Sequence, residues 1–251
     1  MRRRLLPAAL SLLLVVLATA CQVRTTVTVE VDDDGSGTVE VAVGLDADAL
    51  SRVPDLDGDG APAPADVAAM LRSDDLVAAG WTVAEPEADA DGTTWVRASR
   101  PFGTPEEAEQ ILAGLTGPDG ALRDLEVTRE EAFGRTTYGF SGTADLSGGI
   151  EAFGDEGLAA ALEGEPLGED AAAIEQRVGR PLAEALTFEL TARLAGERTT
   201  WSPRLGDGPV ALAAEETVYD GPVLALAAVA ALSVAALVAV LAVRAVRSRR
   251  S

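Results

Sequence analysis

The chain has 251 residues, and it contains no histidine, no lysine and a single cysteine. This composition excludes an intramolecular disulfide and removes the residue types that most often serve as general bases and zinc ligands. All 41 acidic residues lie between positions 22 and 220, where 13 arginines give a formal net charge of −28. Long-range repulsion from such a charge opposes nucleic acid as a partner. We therefore expect no catalysis, no cofactor and no nucleic-acid binding.

The first 20 residues have the layout of a bacterial lipoprotein signal. Three arginines at positions 2 to 4 precede an apolar run from Leu5 to Ala20, and small residues lead into Cys21. A basic start, an apolar middle and a small-residue cleavage site are typical of secretion signals. We predict that residues 1–20 form a signal peptide and that Cys21 is the lipidation site, carrying palmitate or a related acyl chain. The alternative is an uncleaved signal anchor, which delivers the following chain to the same side of the membrane.

The other end predicts a membrane helix. The 21 residues from Val223 to Val243 are all Val, Leu or Ala apart from Ser233. As a helix they span about 30 Å, which matches a bilayer core. Four arginines follow without a nearby acid, and the positive-inside rule places them in the cytoplasm. We therefore predict a transmembrane helix over 221–243, a basic cytoplasmic tail over 244–251, and an acidic domain over 21–220 on the extracytoplasmic face.

Within the domain, alternating apolar residues predict a series of hairpins. Val27, Val29 and Val31 share one strand face, and a turn rich in Asp and Gly leads to a second alternating run that ends at Leu45. Further hairpins are predicted where strands flank Asp91-Gly92, and between residues 122–130 and 135–146. The clearest strand covers Leu186 to Leu194, and Trp201 with residues 209–218 is expected to complete the sheet.

Two helices are predicted between the hairpins. The first covers Asp66 to Ala79 and ends at Gly80. The second has Thr104 as N-cap, with Pro105 and Glu107 placed as in a capping box. Residues 147–181 are rich in Gly, Glu and Ala and are interpreted as a possible insertion. The pattern predicts an α+β fold, with an antiparallel sheet built from hairpins and helices packed on one face.

The order of these segments resembles that of the actinobacterial LppM-type lipoproteins. Cys21 is followed at once by a Val/Thr hairpin, then by a capped helix, a late strand, a segment near Trp201, a last strand to Tyr219 and one membrane helix. Abundant arginine without lysine is also typical of the GC-rich genomes of actinobacteria. The resemblance implies an exported domain of lipid-binding character linked to envelope glycolipids. It implies no particular pocket residue.

Two sets of residues are candidates for binding. Asp55, Asp57, Asp59, Gly60 and Asp66 match the spacing of a calcium loop, but neighbouring prolines and the missing bidentate Glu favour a solvated loop, so we predict no metal site. The aromatic residues are candidates to line a cavity, although such residues more often fill a core. These are Trp81, Trp95, Trp201, Tyr138 and Phe140, and Tyr219 is interpreted as an interfacial anchor.

These features predict a cell-membrane lipoprotein, and the resemblance implies that its external domain binds or presents a lipid or glycolipid of the envelope. The alternative is a structural module that docks a protein partner, which the sequence does not identify. A lipid binder requires an apolar cavity between sheet and helices, whereas a scaffold requires a solid core and an exposed patch. An enzyme would instead require converging carboxylates with separated pKa values.

Overall fold

The structure, a computed structural model, describes residues 23–51, 73–116, 120–148 and 181–248. It contains ten strands and five helices in these ranges. In chain order the elements are β1 (Val23–Val31), β2 (Gly37–Leu45), α1 (Ala47–Leu50), α2 (Ser73–Ala78), β3 (Thr82–Val83), β4 (Glu87–Ala88), β5 (Thr94–Phe102), α3 (Pro105–Thr116), β6 (Leu122–Ala132), β7 (Arg135–Ala144), α4 (Leu182–Ala185), β8 (Leu186–Leu194), β9 (Glu197–Trp201), β10 (Val210–Tyr219) and α5 (Gly221–Ser248).

A large sheet of seven strands has the order β3, β5, β2, β1, β8 and β9, and β4 also pairs with β5. The first hairpin is confirmed: β1 and β2 are antiparallel, with Val23 opposite Leu45 and Val31 opposite Gly37. The amide of Asp32 donates to the carbonyl of Ser36 and closes the predicted turn. The hairpin around Asp91-Gly92 is also confirmed, although its first arm is divided into the short strands β3 and β4.

A small antiparallel sheet contains β10, β7 and β6 in that order. The third predicted hairpin is confirmed as β6 and β7, with a register shift between Arg123 and Glu126. The sequence pattern predicted one sheet, and the structure divides the strands between two because β10 pairs with β7 instead of β9. Period-two alternation identifies a strand and its buried face, but it does not identify the neighbouring strand.

One strand pair departs from the antiparallel pattern. β8 has the predicted bounds, and it lies parallel to β1, with Val23 beside Leu186 and Val31 beside Leu194. A parallel pair requires a long connection between its strands. The chain supplies one, since β8 follows the whole of the small sheet. The α+β class and its mainly antiparallel sheets are nevertheless as predicted.

The core lies between the two sheets and α3. The large sheet contributes the valines of β1 and the apolar face of β8, and the small sheet contributes Tyr138 and Phe140. Helix α3 buries Ala108, Ile111 and Leu112 at helical spacing against β6, β2 and β5. Its amphipathic stripe therefore closes one side of the space between the sheets.

The residues predicted to begin and end the helices make the expected hydrogen bonds and turns. Thr104 accepts a hydrogen bond from the amide of Glu107 at 3.3 Å, and the Glu107 carboxylate accepts one from the amide of Gly103 at 2.6 Å. Helix α2 ends where Gly80 adopts a φ of +87°, and the Trp81 amide then donates to the carbonyl of Leu76. The first part of this predicted helix, residues 66–72, lies outside the described residues, as does most of the possible insertion over 147–181.

The C-terminal helix α5 follows β10 directly. The Asp220 carboxylate accepts a hydrogen bond from the amide of Val223 at 3.0 Å and caps its first turn. From Gly221 to Ala239 the helix is long and apolar enough to cross a membrane, and none of this stretch is buried in the protein. The predicted long apolar helix is therefore present, and its exposed apolar surface requires a cover that the domain does not provide.

Candidate functional site

An apolar pocket lies between the large sheet and the helices α2 and α3. Its volume is about 100 Å³. All of its lining residues are apolar: Val41, Val43, Leu76, Trp81, Val83, Val96, Ala98 and Leu115. The pocket has no polar side chain that could orient a ligand or act as an acid or base. It can therefore accept a hydrocarbon group and little else.

The strand register explains why a space remains at this position. Val83 of β3, Ala98 of β5 and Val41 of β2 are neighbours in one row across the sheet. The central residue of the row is the small Ala98, so the side chains on both sides of it leave a depression. Val41 is only half-buried, whereas Val39 two residues earlier is fully buried beneath the core. The depression thus begins where the packed core ends.

Two residues from the helices cover the depression. Leu76 of α2 and Leu115 of α3 both contribute to the pocket wall. Trp81 follows the turn at Gly80 and is buried, with its ring against the same space. Both helices therefore contact the same face of the large sheet, as predicted, and they leave the pocket between them.

The five aromatic candidates do not converge on this pocket. Only Trp81 lines it. Tyr138 is buried in the core, where its hydroxyl donates to the carbonyl of Asp33 at 2.6 Å, and Phe140 lies 5.8 Å from the ring of Trp201. Tyr138 and Phe140 are therefore core residues and Trp201 is partly buried against the core, which is the alternative that their residue type favoured.

Trp95 lies on the opposite face of the large sheet. Its ring covers Gly44 of the neighbouring strand, and the guanidinium groups of Arg24 and Arg97 lie 5.9 and 5.3 Å from the ring centroid. Its indole N–H donates to the Asp89 carboxylate at 2.8 Å. These contacts form a cation–π cluster, which stabilises the face of the large sheet opposite the pocket.

Hydrogen bonds in this cluster also lower the pKa of one of its carboxyl groups. Bonding by Asp91 and by the Trp95 indole lowers the pKa of Asp89 to about 2. Every described carboxyl group with a clearly shifted pKa has it lowered, and the others are Asp34, Glu106 and Asp145. The described residues therefore give no pair of carboxyl groups with pKa values moved in opposite directions, as a carboxylate acid–base pair requires.

The remaining predicted sites have different outcomes. Within the described ranges, no three His, Cys, Asp or Glu side chains are placed to hold a metal ion. Cys21 and the aspartates of the calcium-like loop, Asp55 to Asp66, lie outside those ranges. Tyr219 is exposed at the end of β10, directly before α5.

Sequence reasoning missed most of the pocket lining. The alternation in β2 identified the apolar face that carries Val41 and Val43, but it did not show that core packing stops before them. A usable signal was the small Ala98 two residues after Val96 on the same face of β5, since a small residue on a core face leaves space. The exposed Phe133 at the tip of the β6–β7 hairpin was also missed, although an aromatic residue beside Gly134 in a turn is unusual for a purely solvated tip.

No family model and no curated protein matches the chain. Among solved structures, the chain is similar to the NMR structure of the folded domain of LppM from Mycobacterium tuberculosis. The two share 14% sequence identity with a TM-score of 0.36, and the match covers 81% of this chain and 94% of that chain. This neighbour belongs to the group that the order of segments resembles. At such low values the likeness does not establish a common family.

Proposed function

We propose that the chain is a membrane-anchored envelope lipoprotein whose external domain binds the hydrocarbon part of a lipid or glycolipid. The observation that carries the proposal is the apolar pocket between the large sheet and the helices α2 and α3. A cavity between sheet and helices is the feature that distinguishes a lipid binder from a solid scaffold. We also propose a relationship to the LppM-type lipoproteins. The argument for lipid binding does not use this relationship.

The volume of the pocket limits what it can hold. A dry apolar cavity of about 150 Å³ accepts benzene, and the pocket here measures about 100 Å³. It therefore suits the end of an acyl chain or a short branch, and not a whole lipid. The remaining chain and the headgroup would lie outside the pocket, where polar residues are available. Without polar groups in the lining, we propose binding or presentation and no catalysis.

The membrane attachment in this proposal has two parts. The apolar stretch Gly221–Ala239 of α5 would span the bilayer, with the basic residues after it in the cytoplasm. Cys21 would carry the N-terminal acyl anchor on the outer side. Both attachments hold the acidic domain next to the lipids from which it would take its ligand.

The test uses the domain Gln22–Asp220, exported by an actinobacterial host and examined by native mass spectrometry and lipid extraction. We expect one lipid or glycolipid for each protein molecule. In the pocket variant Ala98→Leu, the added side chain displaces about two methylene groups of the ligand, worth about 0.8 kcal/mol each. Binding should therefore weaken more than about tenfold.

Ala213→Leu is the matched control, because it adds the same side chain at an exposed position of β10. It should retain the ligand fully, and circular dichroism should show both variants folded. A lipid-free domain that also ignores added envelope lipids would contradict the proposal. That result would favour the alternative, a structural module that docks a protein partner, to be sought by crosslinking in the membrane.

A further inference from the structure

The tip of the β6–β7 hairpin is attached to the start of the long apolar helix. The turn consists of Phe133 and Gly134, and the amide of Asp220 donates to the carbonyl of Gly134 at 2.9 Å. Gly134 also touches Leu224, since a Cβ added to it would lie 2.6 Å from a methyl carbon of that leucine. The hairpin tip is therefore at the level of the first helical turn.

This contact fixes the depth of the tip relative to a bilayer. Leu224 is the fourth residue of α5 and lies within the stretch Gly221–Ala239 that is able to span a membrane. If that stretch crosses the hydrocarbon core, Leu224 lies just inside its outer boundary. Gly134 shares this level because it touches Leu224, and Phe133 is its direct neighbour.

Phe133 is unusually exposed for a large aromatic residue. It is 76% exposed, and Tyr219, which ends the neighbouring strand, is 62% exposed. Tyr219 lies opposite Arg135, the residue that follows the turn. Two exposed aromatic residues therefore lie beside the start of one apolar helix. Tyrosine at this position is characteristic of the boundary between bilayer and water, and exposed phenylalanine is among the residues that enter the headgroup and acyl boundary.

From this geometry we propose that the β6–β7 tip enters the outer lipid interface, with Phe133 in the upper acyl region and Tyr219 at the headgroups. The inference rests on the membrane-spanning role proposed for α5, and it does not depend on the ligand of the apolar pocket. At this end of the small sheet the acids Glu130, Glu131 and Asp220 outnumber the arginines Arg129 and Arg135, so electrostatic attraction to anionic lipid does not drive the insertion. Contact between the aromatic ring and the acyl chains drives it, and a zwitterionic bilayer is sufficient.

The experiment places the full chain in phosphatidylcholine nanodiscs and measures tryptophan quenching by lipids brominated near the headgroup end of the acyl chains. Phe133→Trp is the probe, because an exposed position accepts the larger ring without disturbing the fold. Val77→Trp is the matched control, since Val77 is 58% exposed on α2, which packs on the large sheet. The unmodified chain supplies the background from its three native tryptophans.

We expect the tryptophan at position 133 to be quenched above the background, because an interfacial ring lies at the level of the headgroups and upper acyl chains, while the one at position 77 stays at background. Equal quenching of the two probes would overturn the inference and leave the spanning role of α5 intact. A chain that does not enter the nanodisc at all would overturn both. The two failures are therefore distinguishable, and neither affects the lipid-binding test of the isolated domain.

Discussion

Trp95 shows how one small residue determines the position of a large one. Its ring lies across Gly44, and three of its carbon atoms are 2.9 Å from where a Cβ on Gly44 would be. Only a glycine allows the ring to lie this close to the strand. The position of the ring in turn determines the contacts with Arg24, Arg97 and Asp89.

We therefore predict that Gly44→Ala destabilises the domain. The added methyl group pushes the Trp95 ring outward, and overpacking of this kind costs about 1–3 kcal/mol. The measurement is urea unfolding followed by tryptophan fluorescence, with the native emission also expected to shift as the indole separates from Asp89.

Gly114→Ala provides the comparison for this change. Gly114 lies in α3 with no atom within 4 Å of an added Cβ, so alanine should stabilise the domain by about 0.5–1 kcal/mol. If Gly44→Ala were as stable as Gly114→Ala, the close packing of Trp95 on Gly44 would not be a determinant of the fold.

At the scale of the element, the attachment of the β6–β7 hairpin to α5 depends on Gly134. This residue has a φ of +70°, a conformation that costs other residues about 1–2 kcal/mol, and it also touches Leu224. A side chain at position 134 would strain the backbone and would also clash with Leu224. The turn and the helix are thus joined at one residue that has no side chain.

Gly134→Ala should therefore loosen this junction as well as lower stability. The hydrogen bond from the Asp220 amide to the Gly134 carbonyl should open more often, and hydrogen exchange at Asp220 should accelerate. Gly92→Ala is the control, because Gly92 has a similar φ of +86° but no atom within 4 Å of an added Cβ. The Gly92→Ala change should lower the free energy of unfolding by about 1–2 kcal/mol through backbone strain alone. Unchanged exchange at Asp220 in Gly134→Ala would contradict the proposed junction.

The elements themselves were largely predictable from local patterns. The bounds of β8 agree with the alternation from Leu186 to Leu194, and the capping signals at Thr104 and Gly80 gave the start of α3 and the end of α2. The partners of the strands were not predictable. The pairing of β10 with β7 and the parallel contact of β8 with β1 depend on packing between distant residues, which no local period encodes.

The same limit applies to the candidate site. The pocket arises from the row Val83, Ala98 and Val41 on three strands that are separated in sequence. Its cover comes from two helices whose relative position is a tertiary property. Sequence reasoning could therefore indicate that a cavity was required for lipid binding and name Trp81 as a candidate, but it could not name the other lining residues.

At the scale of the whole molecule, the charge of the domain opposes contact with a membrane, whereas the two proposed anchors favour it. The portion between positions 22 and 220 carries −28, and an anionic membrane surface repels such a domain within about one Debye length. Surface attraction would not hold the domain at a membrane, so the proposed location depends on the two proposed anchors. Cys21 lies two residues before β1 of the large sheet, and α5 follows β10 of the small sheet. The two proposed anchors therefore hold the domain through different sheets.

We predict that either anchor alone keeps the chain in the membrane. A chain ending at Asp220 should remain membrane-bound through acylated Cys21 when the cysteine carries two or more acyl chains, the number that stable anchoring requires. A chain in which a cleavable, non-lipoprotein signal replaces residues 1–21 should remain bound through α5. With both changes, the domain should appear in the soluble fraction after cell fractionation.

The mass of the purified chain ending at Asp220 separates acylation from an uncleaved signal. Acylation predicts a protein that begins at Cys21 and carries the added mass of its acyl chains. A protein that retains residues 1–20 would contradict acylation while still placing the domain outside. In that case the uncleaved signal and α5 would anchor the full chain as two membrane helices. No lipid anchor would then be needed to overcome the repulsion between the charged domain and the membrane.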